Sequence, residues 1–190
     1  MENLDQTTVA VEETEIQEAQ PEVRINEHKL TQYLERLRME QNLPMAFIAG
    51  LAIMAVCALA WAMITMATGY QIGYMAVGVG LAVGFGIRYT GKGMDKIFGI
   101  LGGMLALGGC MLGNFLSVIG FAAQAEGIGY LEILSFLDYS VIPQIMLDTF
   151  SPMDILFYGL AIYEGYKFSF RNITDEEIYE HAAEKIPASY

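Results

Sequence analysis

The sequence predicts an all-α, polytopic membrane protein with four transmembrane helices, and three observations carry that expectation. Of its 190 residues 54% are hydrophobic and only 17% charged, more apolar surface than a soluble domain of this size needs. Residues 41–87 form a run of 47 without a formal charge, whereas one span needs about 20 residues. A four-span partition also places all ten Lys and Arg on one face. Five spans are the alternative, because the chain between the third and last apolar helices is itself hydrophobic.

The first 22 residues are rich in Glu, Gln and Thr and contain no aromatic residue. They bury too little apolar surface to offset the entropy of ordering, so a disordered acidic tail is expected. They also lack the basic start and apolar stretch of a signal peptide, and the first span is expected to be an uncleaved anchor. Residues 23–43 should form an amphipathic interfacial helix. Leu30, Tyr33, Leu34 and Leu37 recur at i, i+3, i+4 and i+7, with Glu35, Arg36 and Arg38 on the opposite face.

The transmembrane domain is expected over 44–171. Thr68-Gly69-Tyr70-Gln71 supplies turn chemistry within the long uncharged run and divides it into Pro44 to Ala67 and Tyr70 to Arg88. A third uncharged run, Ile97 to Ala125, is again long enough to cross. The fourth helix, Asp154 to Phe170, is apolar and aromatic but carries Glu164 and Lys167. Residues 126–151 are hydrophobic yet interrupted by Glu132, Asp138 and Pro143, which reads as an extracytoplasmic interfacial or re-entrant segment. In 172–190, Thr174 to Glu177 has the spacing of a capping box, predicting a short cytoplasmic helix to about Ile186. Ile178, Ala182 and Ile186 would form its docking face.

Orientation follows from the cations. Arg24, Lys29, Arg36 and Arg38 precede the first span; Arg88, Lys92 and Lys96 lie between the second and third; Lys167, Arg171 and Lys185 follow at the end of the fourth. Lys and Arg near span ends are retained on the cytoplasmic side, so both termini are expected there. The opposite face receives Glu126, Glu132, Asp138, Asp148 and Asp154 without one cation. The net charge of -12 also excludes a nucleic-acid surface, which needs clustered cations.

The candidate functional residues are few. Glu164 is the one carboxylate inside a candidate span, with Lys167 at i+3 and Arg88 expected at similar depth; a structural ion pair or snorkelling role stands ahead of an ion or proton relay. Asn114 and Ser117 share one helical turn and read as interhelical hydrogen-bonding groups ahead of a polar solute site. Gly80, Gly84, Gly99, Gly103, Gly109 and Gly113 recur at helical spacing and read as helix-packing faces, with the second and third spans expected to approach at Gly80, Gly84, Gly99 and Gly103. A homo-oligomer seam or a pore-lining surface is their alternative use.

Cys57 and Cys110 fall near mid-depth, where a desolvated thiol is poorly reactive. Neither His28 nor His181 has metal-ligand spacing, and no hydrolase, nucleotide-binding or redox motif occurs, so no cofactor, metal or catalytic residue is expected. The functional expectation is a noncatalytic scaffold or accessory subunit of a bacterial cytoplasmic (inner) membrane, recruiting a protein partner through its cytoplasmic helices. The alternative is a small oligomeric channel or transporter with Glu164 near its path.

Overall fold

A computed structural model describes residues 23–70, 72–136, 138–148 and 150–185. The expected acidic tail, Gln71 and Ile186 therefore lie outside the described residues. The elements are β1 (Val23–Ile25), α1 (Glu27–Met39), α2 (Leu43–Thr68), α3 (Met75–Gly91), α4 (Lys96–Glu126), α5 (Tyr130–Phe136), a 3₁₀ turn (Tyr139–Val141), α6 (Ile142–Asp148), α7 (Pro152–Phe168), α8 (Asp175–Ala182) and β2 (Ala183–Lys185). The protein is all-α apart from one antiparallel pair of three-residue strands. Two compact units result, one of residues 23–33 with 174–185 and the other of residues 34–173, with the boundary inside α1.

The larger unit is a bundle of α2, α3, α4 and α7. Asn42 accepts a hydrogen bond from the Met45 amide and caps α2, whose Pro44 sits in the first turn where its missing N–H costs nothing. Gly69 ends α2 in the left-handed conformation at φ 71°, donating its N–H to Thr65 O. The short connections 69–74 and 92–95 make α2, α3 and α4 antiparallel in turn, and α7 returns antiparallel to α4. The middle is shared by α3 and α4; α2 packs against both, and so does α7.

The core is small-residue packing around a few large side chains. Trp61, Ile87, Ile119 and Val83 are the largest fully buried residues, among Ala46, Ala58, Ala76, Ala106 and Ala161. Outward positions are larger and apolar: Val56 is 66% exposed while Ala58, two residues on, is wholly buried. Two helices, α2 with 26 residues and α4 with 31, are long and apolar enough to cross a membrane. The other two bundle helices are shorter than the expected spans, α3 and α7 having 17 residues each.

Several element boundaries differ from expectation. The second apolar helix starts at Met75 rather than Tyr70, because Gly73 and Tyr74 still belong to a turn. Among the described residues of 127–150 there are two seven-residue helices and a 3₁₀ turn. The capping box forms fully at Ser151 and Asp154, where it was not anticipated. At Thr174 the hydroxyl accepts from the Glu177 amide at 3.3 Å, but Glu177 Oε2 is buried without a hydrogen-bond partner, so the reciprocal half is missing.

The smaller unit corrects both terminal helices. The expected helix from residue 23 begins at Glu27, and the expected C-terminal helix stops at Ala182. Val23 to Ile25 instead pairs with Ala183 to Lys185 in register Val23↔Lys185, Arg24↔Glu184, Ile25↔Ala183. Helix periodicity gives no sign of this pairing, whose partners are some 160 residues apart and whose hydrogen bonds replace those of two frayed helix ends. Asn26 joins the pieces: its side-chain oxygen accepts from the His28 and Lys29 amides, its Nδ2 donates to Glu184, and its backbone N–H donates to Ala182 O. Tyr33 stacks on His181 with ring centroids 4.4 Å apart, and Ala182 is wholly buried.

Candidate functional site

Sequence-distant polar groups converge at two places in the bundle, one at each end. At the end formed by Leu43, Gly91, Lys96 and Phe168, Glu40 receives Arg171 at 3.0 Å and Lys92 at 3.4 Å. Those contacts, that of Arg171 first, hold the Glu40 carboxyl below its ordinary value of 4.5. Gln41 accepts from the Met94 amide at 2.9 Å and donates to the Asp95 carboxylate at 3.1 Å. Backbone bonds run from Asn42 N to Gly91 O and from Arg171 N to Gly93 O. Three connections are thereby tied together. Neither Glu40 nor Gln41 stood out in the sequence, because a charged or amide residue before a helix is usually solvated.

The candidate carboxylate Glu164 lies near this end on α7, beside Gly84 of α3, where a Cβ would come within 3.2 Å of Glu164 O. The ion pairs among the described residues are Lys29–Glu184, Lys92–Glu40 and Arg171–Glu40, so Glu164 pairs with neither Arg88 nor Lys167. Those two cations turn to aromatic faces instead. Arg88 lies 6.0 Å from the centroid of Phe85, and Lys167 lies 5.4 Å from that of Tyr163 and 5.7 Å from that of Phe168. Phe85 and Phe168 themselves meet across α3 and α7 at 5.0 Å. Glu164 Oε2 is left buried without a hydrogen-bond partner.

The glycine faces are used differently from expectation. The second and third apolar helices do not meet at Gly80, Gly84, Gly99 and Gly103; all four face α7. A Cβ on Gly80 would stand 2.5 Å from Ala161 O, one on Gly99 2.7 Å from the Tyr166 ring, and one on Gly103 3.3 Å from Ile162 O. The tightest crossing is Gly102 with Gly165, where a Cβ on Gly165 would stand 2.6 Å from Gly102 O. Gly109 faces Val79 of α3 and Met54 of α2, so the second and third apolar helices do approach there, and Gly113 faces Trp61 of α2. The physical reason lies in α7, whose buried positions Asp154, Tyr158, Ala161 and Gly165 form a narrow stripe that fits between α3 and α4. Spacing within one helix shows which residues share a face, and not which neighbour that face meets.

Toward the other end, polar residues from three helices are buried: Trp61 and Thr65 on α2, Asn114 and Ser117 on α4, and Asp154 and Tyr158 on α7. Of the two candidates, Asn114 lies beside Tyr158, and Ser117 is three residues further along α4. Ser117 donates to Gly113 O at 2.8 Å. The Asp154 carboxylate accepts from the Ser151 amide at 2.8 Å. Trp61 did not stand out in the sequence because a lone aromatic in an apolar helix looks like any other packing residue, and Tyr158, one of several aromatics on α7, reads as part of an interfacial belt and packing surface.

A cavity of about 200 Å³ bordered by Gly73, Ser151, Asp154 and Phe157 lies near this end. A larger one of about 680 Å³ is apolar, between Leu107 and Met111 of α4, Ile142 and Leu147 of α6, and Tyr158. Among the described residues no three His, Cys, Asp or Glu side chains are gathered as a metal site. Cys57 is half-buried and Cys110 buried, both as free thiols. No family model, curated protein or solved structure matches the chain.

Proposed function

We propose that this chain is an integral protein of the bacterial cytoplasmic membrane, crossing it four times, and that it serves noncatalytically as a scaffold or accessory subunit. The carrying observation is the pairing of the two chain ends, β1 with β2 and Tyr33 with His181. A chain whose two flanks fold together crosses a bilayer an even number of times, which supports four spans over three or five. The two terminal segments then offer one joint surface to a partner in place of two separate amphipathic helices. Further support comes from the bundle, whose core is rich in Ala and Gly around a few large side chains and which exposes large apolar residues such as Ile48, Val56, Leu59, Met63 and Met104, an arrangement that suits lipid.

Within the bundle unit every Lys and Arg lies at the end holding Lys92 and Arg171, while Glu126, Glu132, Asp138, Asp148 and Asp154 belong to the other. The charge rule makes the first end cytoplasmic. At 17 residues α3 and α7 reach about 25 Å, and their flanking turns complete the crossing of a hydrocarbon core of about 30 Å. With Cys57 and Cys110 replaced by Ala, an impermeant thiol reagent on intact cells should label Ser140→Cys and spare Glu180→Cys; labelling of Glu180→Cys overturns the orientation. Partner capture by the full chain should be lost when residues 174–185 are removed. Capture that survives this removal, and that of 23–33, sinks the scaffold reading.

One observation favours the second reading, an oligomeric channel or transporter: the buried Glu164 Oε2 has no hydrogen-bond partner. An intramembrane carboxylate without a counter-ion is costly and is characteristic of ion pathways. Ion flux in liposomes that Glu164→Gln abolishes while folding is retained would install this reading; absence of flux would remove it.

A further inference from the structure

One face of α2 carries two polar atoms without a hydrogen-bond partner in the chain. Trp61 is wholly buried with its Nε1 unpartnered, and Thr65, 1% exposed, has an unpartnered Oγ1. They stand one helical turn apart on the same face. Both are donors, and the indole N–H can do nothing else. Native interiors satisfy such groups with protein, ordered water or ligand, because an unmet buried donor loses its hydration without return.

The opposite wall is known from contacts. A Cβ on Gly113 of α4 would come within 3.0 Å of the Trp61 ring, which fixes the level of α4 that faces Trp61. Asn114 and Ser117, both buried, occupy the same turn, and Tyr158 of α7 reaches it beside Asn114. The Ser117 hydroxyl proton is already given to Gly113 O. The side chains one turn away are small: Ala58, three residues before Trp61, and Cys110, three before Gly113, are each wholly buried. Neither Trp61 nor Thr65 brings a formal charge.

We propose that this level of the bundle is a binding site for a small uncharged hydrogen-bond acceptor, water or a hydroxyl- or amide-bearing molecule of comparable size, held by Trp61 Nε1 and Thr65 Oγ1. Trp61 is the only tryptophan of the chain, so its fluorescence reads this site alone. The experiment uses the full chain in detergent, and its outcome does not depend on membrane topology; failure of the bilayer reading would appear separately, as release of the protein by alkaline carbonate.

The expected result is the red-shifted emission of a hydrogen-bonded indole, a difference between H₂O and D₂O, and a blue shift with loss of that difference in Thr65→Val. Thr68→Val is the control: the Thr68 hydroxyl already donates to Ile64 O at 2.8 Å, and its removal should leave the emission unchanged. Titration with acetamide separates the two sources. A saturable shift identifies a solute site, and no response beside a retained isotope difference identifies water. The proposal falls if wild-type emission is that of an unbonded indole, insensitive to D₂O, and if folded Thr65→Val is indistinguishable from it. Should Thr65→Val not fold, the wild-type isotope measurement decides alone.

Discussion

The two ends of the four-helix bundle solve the problem of connecting helices in opposite ways. At the Lys92 and Arg171 end the connections are short and bonded to one another: Glu40 to Lys92 and Arg171, Gln41 to Met94 and Asp95, Asn42 to Gly91. At the acidic end, side-chain bonds among the described residues run mostly within one segment. Asp138 accepts from the Ser140 amide, Gln144 donates to Asp148, and Ser151 and Asp154 cap α7. A longer tie, from Tyr130 OH to Leu116 O at 3.0 Å, anchors α5, none of whose residues is buried. Leu131 and Phe136 are about four-fifths exposed, at 81% and 78%. Polar bonds between distant segments need fixed helix ends to hold them, and bonds within a segment do not. The first end should therefore stiffen the bundle, and the second should be free to follow its surroundings.

The strongest way to break this comparison is to unseat α7 beside the stitched end. Gly102→Leu places a side chain where the Gly165 backbone lies, and the bundle should lose at least the upper part of the about 1–3 kcal/mol typical of overpacking. Gly129→Leu at the acidic end, where the nearest atom to a Cβ is 3.8 Å away, should change stability by no more than about 0.5 kcal/mol. Thermal unfolding in detergent followed by circular dichroism compares the two. Equal effects would mean that α7 does not pack on α4 through this glycine. Next in size, Gln41→Ala removes bonds to Met94 and Asp95 and should cost about 1 kcal/mol, against a smaller loss for Glu132→Ala. The same unfolding assay ranks them.

A pH series sharpens the comparison further. Arg171, and after it Lys92, depress the Glu40 carboxyl below 4.5 in the folded chain, so the stabilisation exists above that ordinary value and disappears as pH falls through the depressed one. Wild type should therefore be more stable than Glu40→Gln near neutrality, and the gap should close in acid. A gap that persists at pH 2 would show that something other than charge holds this corner. The smallest effect belongs to the acidic end: proteolytic cleavage between Glu126 and Ser151 should leave the helices associated, with a nearly unchanged melting temperature on native electrophoresis and calorimetry. Dissociation on cleavage would show that α5 and α6 hold the bundle together.

Helix positions were largely legible in the chain, since long apolar runs, Pro44, Gly69 and the charged residues around 92–96 mark where α2, α3 and α4 start and stop. The candidate site was legible only in part. Asn114 and Ser117 stood out as polar residues in an apolar helix, whereas Trp61, Tyr158 and the Glu40 corner did not, because their significance lies in what they meet. Glu164 was found for its charge, yet Arg88 and Lys167 face aromatic rings and leave it unpaired.

By itself the sequence determined the helical character of the chain, the placement of cations, and the apolar stripe of α1 at Leu30, Tyr33, Leu34 and Leu37. These are local properties, fixed by composition and by the 3.6-residue period. Only the tertiary structure decided that Gly80, Gly84, Gly99, Gly102 and Gly103 receive α7, that Val23 to Ile25 pairs with Ala183 to Lys185, and that Glu40 serves two cations. Each of these depends on close approach between segments far apart in the chain. Periodicity identifies the face a helix buries; shape complementarity, the fit of Ala161 and Gly165 against Gly80 and Gly102, selects the partner.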